Sequence, residues 1–288
     1  MIEPQSHALE ALGAVLHYEV RSNSASDQPV LLMIGSPMGA AGFGTLASHF
    51  ADRTVATYDP RGCERSRRTD GAPEATPDEH ADDLHRLISA LDAGAIDIFA
   101  SSGGAVNALA LVGKHPEQVR ILVAHEPPAA QVLPDREAVL AACVDIRSTY
   151  ERDGFGPAMA KFIALANHQG SLPDDFAERL APDPAAFGLP TEDNGSRNDP
   201  LLGQNIISSS HYRHDFDALR AASTRIVVGI GNESSTMFPG RAAAAVAERL
   251  GTVPVTFPGG HGGFLGGEYG QTGEPAAFAA TLRTILEA

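Results

Sequence analysis

Short runs of apolar residues recur along this chain and are separated by segments with helical periodicity. The run at residues 30–34, Val-Leu-Leu-Met-Ile, contains no polar residue, which is typical of a strand covered on both faces in a parallel sheet. Further candidate strands lie at residues 13–20, 54–58, 96–100, 119–124, 225–230 and 253–257. Strands that alternate with helices predict an α/β chain with a mostly parallel, doubly wound sheet.

The clearest helix signal follows Thr76. Thr76 can act as N-cap, Pro77 suits the first helical position, and Glu79 completes a capping box. Apolar residues then recur at helical spacing, at Leu84, Leu87, Ile88 and Leu91, before Gly94. We expect an amphipathic helix here, and further helices over residues 103–113, 241–250 and 276–286.

The alternation is interrupted between residues 129 and 222. Helical patterns there cover residues 136–149, 156–166 and 174–180, and the loops between them are rich in Pro, Asp, Asn and Gly. Insertions of this kind usually close over a site rather than fold independently. We therefore expect a core formed by residues 1–128 and 223–288, with residues 129–222 as an inserted helical cap.

The charge balance limits the partners of the chain. It has 36 acidic and 21 basic residues, a formal net charge of −15, so nucleic acid and anionic membrane surfaces are not expected as partners. Two cysteines cannot form a disulfide framework, and the N-terminal residues lack the features of a signal peptide. We expect a cytoplasmic protein that acts on a small molecule, and a homodimer is left open.

A serine lies in the turn that follows the candidate strand at residues 96–100. A strand-to-helix turn with the pattern small-x-Ser-x-small is typical of a nucleophile elbow. The register favours Ser102, which has Ala100 two residues before it and Gly104 two residues after it, whereas Ser101 would have a phenylalanine at the crowded position. The N–H of Gly103, at the start of the next helix, could bind an oxyanion. The alternative is a glycine-rich connection that binds nothing.

Two further residue types would complete a catalytic triad in the chain order serine, acid, histidine. His261, flanked by glycines after the last candidate strand, is the expected general base. Glu233 follows the strand at residues 225–230 and is the first candidate for the acid. Glu126 follows the strand at residues 119–124 and is the alternative acid.

The second oxyanion donor should come from the loop after residues 30–34. Pro37 has no N–H, so either Ser36 or Met38 must donate. Ser36 directly follows Gly35 and is preferred.

Together these motifs resemble the α/β-hydrolase fold with a helical cap. Residues 59–66, Asp-Pro-Arg-Gly-Cys-Glu-Arg-Ser, are similar to a turn of that family written Asp-x-Arg-Gly-x-Gly-x-Ser. Three departures are Ile34, where the family often has histidine, Glu64 in place of a glycine, and a glutamate as the triad acid. The resemblance implies a serine hydrolase that cleaves a carboxylic ester or lactone through an acyl-enzyme on Ser102.

Other functions stay open at this stage. The same triad could serve an acyl transferase or a perhydrolase, and a member of the fold could bind a ligand with an idle triad. No cofactor is expected, because the sequence has neither a Lys-containing phosphate loop nor a dinucleotide fingerprint. No metal is expected either, because the pairs His211/His214 and His80/His85 lack a third ligand at suitable spacing.

Overall fold

A computed structural model describes residues 3–288, and its centre is one mostly parallel sheet. The strands are β1 (Gln5–Ala11), β2 (Ala14–Arg21), β3 (Leu31–Ile34), β4 (Val55–Tyr58), β5 (Arg67–Arg68), β6 (Ile96–Ser101), β7 (Val119–His125), β8 (Arg225–Gly231) and β9 (Val255–Phe257). Their order is β1-β2-β4-β3-β6-β7-β8-β9, with β5 paired to β2. The strands from β4 to β9 in this order are parallel, so the expected α/β sheet is confirmed.

All seven apolar segments singled out in the sequence form strands, whereas β1 and β5 were not predicted. β1 pairs with β2 in an antiparallel hairpin at the edge of the sheet. Most of its side chains are exposed, so it lacks the apolar pattern by which a buried strand is recognised.

Helices cover both faces of the sheet. They are α1 (Gly44–Ser48), α2 (Pro77–Leu91), α3 (Gly103–Lys114), α4 (Arg136–Asp153), α5 (Phe155–Ala166), α6 (Ile206–Ser210), α7 (Phe216–Ala221), α8 (Phe238–Leu250) and α9 (Pro275–Glu287). The predicted capping box at the start of α2 is present, with the Glu79 N–H donating to Thr76 Oγ1 at 3.2 Å and the Thr76 N–H to Glu79 Oε2 at 2.9 Å.

Two apolar clusters bury the two faces of the sheet. In β3, Leu32 and Ile34 pack against α2, α3, α7 and α8, while Leu31 and Met33 face the opposite way, toward α1 and α9. This alternation is why the run at residues 30–34 contains no polar residue. The carboxyl ends of the parallel strands consequently meet at one edge, where the loops after β3, β6, β7, β8 and β9 lie.

Between β7 and β8 the chain forms helices, and we call residues 129–222 the insertion. Its third apolar cluster joins α4, α5 and α6 to the first turns of α8 through Phe238 and Ala242. The helix predicted over residues 174–180 shortens to a 3₁₀ turn, Phe176–Glu178, because Leu180 exposes 97% of its surface and supplies no buried face. The segment Leu201–Asn205 forms a π-helix that runs into α6 and was not predicted.

The boundaries between core and cap stay a prediction. α7 lies within the range expected for the cap, yet Phe216 and Leu219 of this helix belong to the core cluster that includes α3 and α8.

Within residues 3–288, no helix combines the length and the apolar character needed to cross a bilayer.

Candidate active site

Ser102 occupies the sharp turn between β6 and α3. Its backbone has φ 56° and ψ −130°, which a residue with a Cβ adopts only when the surroundings hold it there. The N–H of Ser102 donates to the carbonyl of His125 at 3.0 Å, which ties the turn to the end of β7. The structure therefore contains the strained strand-to-helix turn that the sequence pattern predicted.

Glycines bring the loop after β3 against this turn. A Cβ on Gly104 would lie 2.7 Å from the Cα of Gly35, and one on Gly103 would lie 2.6 Å from the carbonyl oxygen of Ser36. Backbone packs directly on backbone at both places, so side chains are excluded. The two residues predicted to supply the oxyanion donors, Ser36 and Gly103, are consequently neighbours in space.

His261 forms a hydrogen bond with Glu126. The distance from His261 Nδ1 to Glu126 Oε2 is 2.6 Å, and the Glu126 side chain is fully buried. Glu126 Oε1 accepts a hydrogen bond from the N–H of Gly231 at 2.9 Å and another from the Ser234 hydroxyl at 2.5 Å. Both carboxylate oxygens are thus used, one to hold the imidazole and one to hold the carboxylate itself.

These contacts set the ionisation of Glu126. Burial alone raises the pKa of a carboxyl group, but the hydrogen bond and charge of His261, with smaller contributions from His125 and Ser234, lower the pKa of Glu126 to about 2. The carboxylate is therefore ionised at neutral pH, as a group that orients and stabilises an imidazolium must be.

The expectation that Glu233 pairs with the histidine is wrong, and the alternative, Glu126, occupies that place. Glu233 follows β8 as expected, but its side chain is exposed, while its neighbour Ser234 is 1% exposed and points toward the buried acid. The end of β8 and the loop after it supply two donors to Glu126, Gly231 N–H and Ser234 Oγ, rather than the acid itself.

Ser102 and His261 open into a shared cavity of about 190 Å³ between the core and the insertion. The lining residues are Ser36, Ser102, Gly103, Pro128, Phe162, Ala166, Asn167, Leu201, Asn205, Ile206, Ser209, Ser210, Met237, Phe238, Pro239 and His261. Apart from the histidine, this lining has no ionisable side chain in the described chain. A small, neutral and partly apolar molecule fits such a site better than an anion.

Several residues of the site were not identified from the sequence. Asn205 and Ser209 reach the cavity from the π-helix and α6, in a segment whose sequence has no helical pattern that would have marked them. His125 lies at the end of β7, with its ring centre 6.1 Å from that of His261. Burial lowers the pKa of His125 to about 4, so it is neutral beside the ionised Glu126.

The turn at residues 59–66 supports the site without reaching it. Asp59 Oδ1 accepts a hydrogen bond from the N–H of Ala40 at 2.9 Å and so holds the chain that follows the loop after β3. Arg61 pairs with buried Asp83 of α2 through two hydrogen bonds of 2.9 and 2.6 Å. Glu64 has φ 49°, the left-handed conformation that glycine adopts more easily, which explains the glycine in the family pattern.

Comparison with known proteins agrees with this architecture. In sequence, the chain is 32% identical over 262 residues to YraK, an uncharacterized hydrolase of Bacillus subtilis (strain 168), and the match covers 89% of each chain.

Solved structures give the same fold at low sequence identity. An enol-lactonase from Burkholderia xenovorans LB400 superposes with a TM-score of 0.66 at 16% identity, covering 98% of this chain and 100% of the other. A thermophilic esterase from Thermogutta terrifontis superposes with a TM-score of 0.67 at 19% identity, covering 99% and 98% of the two chains. The family model for the alpha/beta hydrolase fold matches residues 28–268. The chain therefore belongs to the α/β hydrolase family.

Proposed function

We propose that this protein is a serine hydrolase that cleaves small, neutral carboxylic esters or lactones. The observation that carries the proposal is the pairing of the buried, ionised Glu126 with His261, which lines the same cavity as Ser102. A histidine held by a carboxylate, in a cavity that a strained serine also lines, has the residue types that activate a hydroxyl for attack on a carbonyl.

Each residue has a defined role in the proposed reaction. Ser102 Oγ attacks the carbonyl carbon while His261 Nε2 takes its proton, and Glu126 holds the opposite ring nitrogen and stabilises the imidazolium. The N–H groups of Gly103 and Ser36 bind the oxyanion. The bond from carbon to the alcohol oxygen then breaks, and His261 returns the proton to that oxygen. Water repeats the sequence on the acyl-enzyme and releases the acid.

The cavity and the relatives support the substrate class. A volume of about 190 Å³ is smaller than the roughly 300–1,000 Å³ of pockets for drug-sized ligands, so short acyl and alcohol groups fit best. Apart from His261, the lining residues in the described part of the chain include no basic side chain that would bind a carboxylate substrate. An enol-lactonase and an esterase among the structural neighbours are consistent with ester or lactone hydrolysis.

The direct test measures turnover by Ser102→Ala on a panel of esters of graded chain length, lactones and amides. We expect hydrolysis of the best ester or lactone to fall about 10⁶-fold, because the members of a triad act as a unit. A fluorophosphonate probe should label the native chain and leave the variant unlabelled.

Ser101→Ala is the matched control. It removes the adjacent hydroxyl, which is buried and lies 3.3 Å from His125 Nδ1, and should keep activity within about tenfold of the native chain. Full activity of Ser102→Ala would refute the proposal. A native chain that resists the probe and turns over no ester, yet is stabilised by a small ligand, would favour a binding function.

A further inference from the structure

One short segment of the insertion contacts both residues of the proposed oxyanion hole. Asn205 ends the π-helix Leu201–Asn205, and its side chain is 5% exposed. Asn205 Nδ2 donates a hydrogen bond to Ser36 Oγ at 2.6 Å. Ser209, one turn further on, has its hydroxyl oxygen 3.0 Å from the position that a Cβ on Gly103 would occupy. The insertion is thus built onto the site and does more than cover it.

The direction of the Asn205 hydrogen bond determines what the Ser36 hydroxyl can do. An amide nitrogen only donates, so Ser36 Oγ is the acceptor, and the hydroxyl proton is directed to another partner. A serine at this place needs no hydroxyl to supply its backbone N–H. The hydrogen bond from Asn205 therefore acts on the Ser36 hydroxyl and not on the Ser36 backbone.

The surroundings of Ser36 indicate that its hydroxyl proton points into the cavity. Ser36 is 4% exposed, and it lines the same cavity as Ser102. Its Cβ lies 3.3 Å from the position of a Cβ on Gly103, so its side chain is beside the other oxyanion donor. A π-helical turn is an uncommon conformation that often occurs at functional sites, and here it delivers Asn205 to the loop after β3.

We propose that the Ser36 hydroxyl is a third donor to the oxyanion, beside the backbone N–H groups of Ser36 and Gly103, and that Asn205 is its positioning residue. This inference rests on the proposed ester or lactone hydrolysis. Charge develops on the substrate oxygen only in the transition state, so the extra donor contributes chiefly to kcat.

The first test is Ser36→Ala, which removes the hydroxyl and keeps the backbone N–H. We expect kcat to fall about 10²-fold with KM changed less than about twofold, the scale for loss of one oxyanion donor. Ser48→Ala is the control, because that exposed hydroxyl donates to the Thr45 carbonyl of its own helix and does not line the cavity of Ser102 in the described chain, and it should leave kcat unchanged. Unchanged kcat in a folded Ser36→Ala variant would overturn the third-donor role.

The second test reverses the hydrogen bond at nearly constant shape. In Asn205→Asp a carboxylate accepts the Ser36 proton and draws it away from the oxyanion, so we expect kcat to fall about 10²-fold. Asn205→Ala removes the bond without redirecting the proton and should cost only about tenfold. In the Ser36→Ala background, Asn205→Ala should cost nothing more, since it acts through the missing hydroxyl.

Two outcomes would count against the positioning role of Asn205. Asn167→Asp places a carboxylate in the same cavity at the end of α5, and an equal loss of kcat there would assign the effect of Asn205→Asp to charge alone. Additive losses in the double variant would show that Asn205 does not act through Ser36. If Ser36→Ala does not fold, the order of kcat decides the role of Asn205: the proposal requires Asn205→Asp to lose more kcat than Asn205→Ala. An active Ser102→Ala variant, in contrast, would overturn the hydrolase proposal itself.

Discussion

At the scale of single residues, Glu126 has the most constrained environment in the site. It has φ 47°, a left-handed backbone conformation, although it is not glycine. Its N–H donates to the Gly229 carbonyl at 3.1 Å, and its carboxylate accepts from three donors, one at the end of β8 and two in the loops after β8 and β9. Strain of this kind is kept only where the neighbouring contacts impose it. Here it directs the carboxylate at His261.

This environment gives a prediction for the two candidate acids. Glu126→Gln should lower kcat roughly 10⁴-fold, because a neutral amide cannot stabilise the imidazolium and can hold the wrong tautomer. Glu233→Gln is the matched control and should change kcat less than about twofold, since the Glu233 side chain is exposed. Steady-state kinetics on the best ester or lactone decide between them. Comparable losses from both variants would contradict the assignment.

The sequence narrowed the acid to two residues and could not choose between them. Both glutamates lie within two residues of the end of a parallel strand, so both lie at the edge of the sheet where the carboxyl ends meet. The choice depends on which side chain of a short loop turns inward, and in the loop after β8 that residue is Ser234. Ser102 and His261 were each a single candidate for the nucleophile and the base, because the glycine-rich segments that mark them are local in the sequence.

At the scale of secondary-structure elements, the site depends on the contact between the loop after β3 and the first turn of α3. Gly35 and Gly104 meet there without side chains between them, and the adjacent residues are Ser36 and Gly103. The spacing of the proposed oxyanion donors is therefore set by how closely two backbones approach.

Gly104→Ala tests this dependence. The new Cβ would lie 2.7 Å from the Cα of Gly35, so one loop must move, at a cost of about 1–3 kcal/mol in unfolding free energy. We expect kcat to fall about 10²-fold as the donors separate. Gly113→Ala lies in the same helix, where a Cβ meets nothing within 4 Å, and should stabilise the chain by about 0.5–1 kcal/mol. Chemical denaturation and kinetics of both variants provide the comparison.

The elements that form the core could be predicted, and those that complete the cavity could not. β3 and β6 are buried along their whole length, and β8 is buried over its last four residues, so their sequences carry the apolar signal directly. The π-helix Leu201–Asn205 and α6 are short and are held by contacts with α4 and with the loop after β3. Such contacts join residues far apart in sequence, and no local pattern records them.

At the scale of the whole molecule, the net charge of −15 and the largely neutral lining of the cavity both disfavour anionic substrates. The negative electrostatic field of the chain repels anions. Apart from His261, the described lining of the cavity has no basic side chain that would attract them. The same property that argued against nucleic acid as a partner therefore also bears on the choice of substrate.

We expect neutral esters to be hydrolysed with a higher kcat/KM than analogues that carry a carboxylate. The difference should narrow as salt is raised from about 10 to 500 mM, because screening shortens the reach of the field. Paired substrates that share the same reacting ester and differ only at the remote end of the acyl chain, a carboxylate in one and a carboxamide in the other, provide the measurement. A carboxylated substrate that reacts faster at low salt would contradict the expectation.

Buried histidines link the stability of the fold to pH. Burial lowers the pKa of His80, His125 and His214 to about 4, and the charge of Arg61 acts in the same direction on His80. Among residues 3–288, neither ring nitrogen of His214 has a hydrogen-bond partner. The unfolded chain binds protons at these sites below about pH 6.5, whereas the folded chain does so only near pH 4.

The free energy of unfolding should accordingly fall as the pH drops from about 6.5 to 4, by up to roughly 3 kcal/mol for each buried histidine. His214→Phe should reduce this slope and raise stability at pH 5, since phenylalanine fits beside Tyr212 and Phe216 without a buried polar atom. His49→Gln, at an exposed position, should leave the slope almost unchanged. Urea denaturation followed by circular dichroism at several pH values tests this, and a flat profile in the native chain would refute it.

The position of Glu126 directly after β7 determines where this chain can be joined to a relative in a chimeric protein. The insertion leaves the core through Pro127 and Pro128, directly after the proposed acid, and Pro128 already lines the cavity. A chimera joined upstream of Glu126 would replace the acid together with the cavity wall. A chimera joined after Pro128 and before β8 would keep the Glu126–His261 pair and replace the part of the cavity wall that residues 129–222 supply, Asn205 included, so that the wall could be varied while the proposed triad is kept.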